Sequence, residues 1–126
     1  MLFSELNLPA SVLKSLAEMG YEQTTPIQEK TLPHILDGKD VLGLAETGSG
    51  KTSACAIPLV SKLDLKDRNI QALILVPTRE LALQYVQEVD EVSKHSEAVP
   101  PCLGTAQKIP TYIRWHRRSR RWRTSL

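Results

Sequence analysis

Apolar side chains recur along the first 96 residues in two rhythms. Over 9–19, Val12, Leu13, Leu16 and Met19 fall on one face of a helix. Pro9 suits its first turn and Gly20 the position just past its end. A second helix is predicted from Thr25, with Pro26 in its first turn; it fades around Pro33 and stops by the turn pair Asp37-Gly38. Val41-Leu42-Gly43-Leu44-Ala45 changes the rhythm to a continuous apolar run, the pattern of a strand buried on both faces. Residues 51–63 read as a helix that Pro58 should shorten or kink. Ala72-Leu73-Ile74-Leu75-Val76, closed by Pro77, repeats the buried-strand pattern. Ala82, Tyr85, Val86, Val89 and Val92 then line one helix face, opposite Gln84, Gln87, Glu88 and Glu91. The order helix, helix, strand, helix, strand, helix implies an α/β chain, with a parallel sheet flanked by helices.

Between the first strand and the third helix lies Ala45-Glu46-Thr47-Gly48-Ser49-Gly50-Lys51-Thr52. A strand, a glycine-rich loop and a helix in that order are the setting of a phosphate-binding loop. Gly48 and Gly50 let successive N–H groups converge on an anion, and the new helix adds its positive end. Lys51 would reach the outer phosphates and the Thr52 hydroxyl would ligate magnesium. The general pattern has glycine six residues before the lysine, where this chain has Ala45. The plainer alternative is a glycine-rich turn with a solvated lysine; the flanking strand and helix favour nucleotide phosphate binding.

Two further segments bracket the loop: Gly20-Tyr21-Glu22-Gln23-Thr24-Thr25-Pro26-Ile27-Gln28 before it, and Pro77-Thr78-Arg79-Glu80-Leu81-Ala82 after it. Together the three segments closely resemble the Q motif, motif I and motif Ia of DEAD-box RNA helicases, in the order found in their first RecA-like domain. That family carries alanine at the place of Ala45. The resemblance extends over about the first 95 residues and implies an incomplete RecA-like P-loop domain over 1–96. It also implies ATP and Mg²⁺ as ligands and RNA as partner.

By this resemblance Gln28 reads the adenine edge, which a carboxamide can complement with one donor and one acceptor. Phe3, seventeen residues before Gly20, is placed like the family's base-packing aromatic, and Tyr21 lies in the same motif. Ala45, Thr47, Gly48, Ser49, Gly50, Lys51 and Thr52 would complete the nucleotide site, Lys51 and Thr52 being the residues closest to the chemistry. Thr24 stands where the family usually has proline. Thr25-x-x-Gln28 also fits a capping box, in which both side chains serve free N–H groups at a helix start. Thr78 and Arg79 would hold the RNA backbone, since a hydroxyl, a guanidinium and a helix N-terminus can all bind phosphate without reading bases. Equally, Thr78 and Glu80 can simply start a helix. Cys55 is expected to be a small core residue, Glu46 solvated, and His34 and His95 surface or helix-end residues.

The family's Thr-Pro-Gly-Arg segment, its Asp-Glu-Ala-Asp box and its second RecA-like domain do not occur in this sequence. An arginine finger alone contributes ~10³-fold or more in phosphoryl transfer. The chain is therefore expected to be catalytically incompetent by itself. Two strands would also leave bare edges and half-covered faces, so partial unfolding or aggregation is expected.

Charge divides the chain. Residues 1–99 hold nine Lys/Arg and all fourteen Asp/Glu, a net −5, whereas 100–126 carry Lys108, six arginines and no acid, a net +7. Trp115 and Trp122 lie in the same basic stretch. Residues 97–126 are thus expected to be a disordered basic tail, and we read the abrupt change of composition as a change of reading frame. The alternative is a non-catalytic RNA-binding module that uses interleaved arginine and tryptophan for phosphate contact and base stacking. With only Cys55 and Cys102, neither a cystine framework nor a disulfide-linked partner is expected. The low cysteine usage makes a reduced, cytoplasmic setting the natural reading, and no apolar run is long enough to span a bilayer, so no membrane partner is expected. Nothing in the pattern identifies a protein partner.

Overall fold

Residues 1–64, 66, 67 and 69–96 are described in full by the structure, a computed structural model, as is the backbone of 112–116 and 121–125. A 3-10 turn, Phe3–Glu5, precedes the helices α1 (Ala10–Glu18), α2 (Pro26–Leu36), α3 (Lys51–Lys62) and α4 (Arg79–Val92). Pro9 caps α1 from outside rather than entering its first turn, and Gly20 follows the helix at φ 76°. Thr25 caps α2 with Pro26 as its first residue, as the sequence implies. Two proline expectations are corrected. α2 continues through Pro33 to Leu36, and α3 runs unbroken through Pro58. A proline removes one backbone donor, and here burial outweighs that loss. Leu32 beside Pro33 and Ile57 beside Pro58 are both 0% exposed.

Those two side chains sit in one apolar cluster. It joins Val12 and Leu16 of α1, Leu32 of α2, Ala56, Ile57 and Val60 of α3, and Val89 and Val92 of α4. Phe3, Leu6 and Leu8 close it from the N-terminal side. The expected stripe on α4 is present, running from half-buried Ala82, Tyr85 and Val86 to buried Val89 and Val92. Cys55 departs from expectation. It lies exposed on α3, while its neighbours Ala54 and Ala56 point into the protein.

The two strands differ most from the sequence reading. Among the described residues, 41–45 and 72–76 belong to no ladder, and Leu42, Leu44, Leu73 and Leu75 are 77–88% exposed instead of buried on both faces. A strand is defined by its neighbours, and in doubly wound sheets consecutive strands need not be adjacent. These two segments do not supply each other's hydrogen bonds. One side of the first segment is nonetheless covered. A Cβ on Gly43 would lie 3.6 Å from Ile27 Cδ1 and 3.9 Å from Thr31 Cγ2, both on α2. For 97–126 the structure describes only the backbone of an antiparallel hairpin, β1 (Tyr112–His116) with β2 (Arg121–Ser125). The rest of that expected tail lies outside the described residues.

A polar tie fastens the far end of α4 to α1. The Lys94 ammonium donates to Glu18 at 2.8 Å, and His95 Nε2 stands 2.8 Å from the other Glu18 oxygen, an ion pair when the ring is protonated. The hydrogen bond from Lys94, followed by that from His95, holds the Glu18 carboxyl at about 2, against its ordinary 4.5. The folded carboxylate therefore resists protonation more than the unfolded one. Its contribution is complete above about 4.5 and lost as pH falls towards about 2. Glu18→Gln should flatten the pH dependence of the thermal midpoint within that window, by a small amount because the pair is exposed. In urea unfolding, Leu32→Ala should cost about 2–5 kcal/mol. Leu83→Ala, on the half-exposed side of α4, should cost less than about 1 kcal/mol.

Candidate nucleotide-phosphate site

Ala45 to Thr52 form the loop that leads into α3. Gly48 and Gly50 both take left-handed backbone angles, φ 78° and 88°, and Gly50 caps α3. The Ser49 hydroxyl donates to the Glu46 carbonyl at 2.6 Å, which tightens the turn. The Lys51 ammonium donates to the carbonyls of Ala45 and Glu46, so it lies across the mouth of its own loop. Thr47 and Gly48 are exposed, and Ala45, Ser49, Gly50, Lys51 and Thr52 are half-buried. The Glu46 side chain is exposed, as expected.

α2 holds this loop from the side. The Thr25 hydroxyl donates to the Ser49 carbonyl at 2.8 Å, and Gln28 Nε2 donates to the Gly50 carbonyl at 3.2 Å. Gln28 Oε1 meanwhile accepts from the Thr25 N–H at 2.9 Å. The carboxamide thus performs the helix-capping role and reaches the loop at the same time, at 3% exposure. One N–H and one lone pair of the amide remain beyond these two bonds. Tyr21 and Phe3 pack with ring centroids 6.3 Å apart and planes 19° from parallel. Phe3 is 3% exposed and belongs to the core, so its ring face is engaged by Tyr21. Thr24, the departure from proline, uses the group that proline lacks. Its N–H donates to the Met1 carbonyl at 2.9 Å, and its hydroxyl donates to the same oxygen at 3.0 Å.

On the other side, α4 packs against α3 through a bond the sequence did not suggest. The Ser53 hydroxyl, 4% exposed, donates to the Glu88 carboxylate, so Glu88 is not on a solvent face. Nearby, burial and the adjacent Cys55 thiol push the Tyr85 phenol up to about 12. Thr78 caps α4, its hydroxyl oxygen accepting from Leu81 N–H at 3.2 Å, and Arg79 is exposed in the first turn. Nine residues separate Arg79 from Glu88, about 14 Å along the helix axis. The structure therefore unites Thr25, Gln28 and the loop in one site and keeps Thr78 and Arg79 outside it. Among the described residues no cluster of three His, Cys, Asp or Glu could hold a metal ion. Thr52, in the first turn of α3, is the one predicted ligand, so a magnesium ion would have to arrive shared with phosphate oxygens.

The chain is similar to known proteins over most of its length. Residues 25–117 match the family model described as DEAD/DEAH box helicase. The chain is 50% identical over 97 residues to the ATP-dependent RNA helicase DeaD of Klebsiella pneumoniae, covering 77% of this chain and 15% of that protein. It is 47% identical over 113 residues to the DEAD-box ATP-dependent RNA helicase CshA of Bacillus cereus, covering 89% and 21%. Among solved structures, a DEAD box protein from Methanococcus jannaschii superposes with a TM-score of 0.74 at 39% identity, over 79% of this chain and 27% of that one. Saccharomyces cerevisiae Dbp5 bound to RNA and ADP BeF3 gives 0.75 at 31% identity, over 78% and 26%. Both the family match and the match to the Bacillus protein run past residue 96, where the resemblance was expected to stop. The chain spans about a fifth or less of the length of these two curated relatives.

The bonds from α2 give the loop a stability test that needs no ligand. A Cβ at Gly50 would come within 2.6 Å of Gln28 Nε2 and 2.9 Å of Thr25 Oγ1, at a backbone angle that side chains rarely adopt. Gly50→Ala should therefore destabilise the chain by about 1–3 kcal/mol. Gln28→Ala, which strands the Thr25 N–H and the Gly50 carbonyl, should cost about the same. Chemical denaturation of the two variants checks both values.

Proposed function

Because the chain belongs to the DEAD/DEAH box helicase family, we propose that it is the ATP-binding N-terminal portion of an ATP-dependent RNA helicase. The observation that carries this reading is the pair of hydrogen bonds from Thr25 and Gln28 to the carbonyls of Ser49 and Gly50. They tie an adenine-reading segment to a phosphate-binding loop. Relatives named as ATP-dependent RNA helicases, and a neighbour bound to RNA and a nucleotide analogue, support it.

In this reading the N–H groups of residues 47–52 wrap the phosphates and Lys51 leaves the loop carbonyls for the outer phosphate oxygens. The Thr52 hydroxyl would hold Mg²⁺, which would supply charge neutralisation for the phosphates. Gln28 uses its remaining donor and acceptor for adenine, beside Tyr21, with Phe3 supporting that wall from the core. Thr78 and Arg79, displaced along α4, hold the RNA backbone at a separate place. Residues 1–96 form the partial RecA-like unit and 97–126 a basic segment, into which the family match extends as far as 117. The chain binds nucleotide without useful hydrolysis, since the Asp-Glu-Ala-Asp acids are not in its sequence. Among the described residues no helix is long and apolar enough to cross a membrane, and a cytoplasmic setting fits the relatives' RNA chemistry.

Thermal unfolding with and without ligand tests the proposal. ATP with Mg²⁺ at about 100 times its Kd should stabilise the chain by about 2.7 kcal/mol. Lys51→Ala should abolish that shift, and GTP should produce less of it. An unshifted wild-type midpoint, or an undiminished shift in Lys51→Ala, would overturn the reading.

A further inference from the structure

Residues 1–3 lie against the segment that leads into Gln28. An antiparallel bridge pairs Leu2 with Gln23, and a main-chain hydrogen bond flanks it on either side. The Phe3 N–H donates to the Glu22 carbonyl at 3.2 Å, and the Thr24 N–H donates to the Met1 carbonyl at 2.9 Å. The Thr24 hydroxyl donates to that same carbonyl at 3.0 Å. Both lone pairs of one oxygen are thus taken by one residue. Phe3 is buried in the core and stacks on Tyr21, which fixes the other end of this strap.

Residues 22–25 are therefore gripped on two sides. Residues 1–3 hold one side; on the other, Thr25 and Gln28 reach the loop carbonyls of Ser49 and Gly50. Thr24 is covalently next to Thr25, whose N–H anchors the Gln28 carboxamide at 2.9 Å. A shift of Thr24 would carry that anchor with it and turn the amide that faces the base. The hydrogen bonds of residues 1–3 to the rest of the chain go to 22, 24 and 29 and none to 45–52, so the strap acts on the base side of the site.

We propose that Thr24 is a positioning residue for base recognition. By clamping Met1–Phe3 to the Gln28 segment, it favours a whole nucleotide over phosphate alone without touching either. The proposal rests on the reading of Gln28 and Tyr21 as base contacts. Proline, the usual residue of the family at this place, has neither the N–H nor the hydroxyl and could not make this clamp.

Calorimetric titration of the full chain with ATP and with inorganic tripolyphosphate, both with Mg²⁺, tests it. The wild type should bind ATP more tightly than tripolyphosphate. Thr24→Pro removes both hydrogen bonds and should weaken ATP binding about ten-fold, with tripolyphosphate binding unchanged. Gln23 already pairs as an extended residue, the backbone that a following proline demands. Thr24→Val loses the hydroxyl bond alone and should weaken ATP binding about three-fold. Thr24→Ser keeps both donors and should restore the wild-type preference. A merely structural role would weaken both ligands together, and that result overturns the proposal. So does an unchanged preference for ATP in Thr24→Val, the variant that decides if Thr24→Pro does not fold. A wild type that does not prefer ATP overturns the base-side reading and the proposal with it. Variants that bind both ligands like a discriminating wild type leave that reading standing and remove only the role of Thr24.

Discussion

Two hydrogen bonds from α2 to the loop carbonyls at Ser49 and Gly50 are what the candidate site depends on. A glycine-rich loop in isolation has many conformations, and fixing its backbone costs about 1–2 kcal/mol per residue. Donors on α2 aimed at two successive carbonyls reduce that freedom, and within the loop the Ser49 N–H donates to the Glu46 carbonyl at 3.4 Å. The same carboxamide caps α2, so the helix start and the loop are held by one side chain. Capping and ligand reading, which look like competing roles for Gln28 in the sequence, are compatible in space.

Among the described residues the helical core is assembled without a ladder over 41–45 or 72–76. Leu16, Leu32, Ile57 and Val92, one from each helix, are all almost fully buried. They belong to one apolar cluster that joins α1 to α4. What the core does not do is cover the outer side of the strand-forming segments. Among the described residues the helices are closed around that core, while Leu42, Leu44, Leu73 and Leu75 remain exposed.

Contacts between helices α3 and α4 show where local pattern stops being informative. Ser53 is one small polar residue in a run of small residues, and Glu88 lies on what periodicity marks as the polar side of α4. Their hydrogen bond exists because the two helices cross at that level, which no spacing within either helix encodes. Cys55 is exposed rather than in the core for the same reason. Three neighbouring positions on α3 are small, and only the location of α4 and the core decides that Ala54 and Ala56 face inward.

The sequence by itself determined the helix limits set by Thr25-Pro26, Gly20 and Thr78, the apolar stripe of α4, and the phosphate loop with its two flanking motifs. These depend on interactions within a few residues, such as capping, turn geometry and helical periodicity. Only the tertiary structure decided that Gln28 reaches Gly50, that Phe3 stacks on Tyr21 within the core, that Thr78 and Arg79 lie apart from the loop, and that Leu42 and Leu73 face outward. Each of these is a contact across many residues of chain, or the lack of one. A continuous apolar run records only that a segment is fit to be buried, and burial requires a neighbour that the segment itself does not contain.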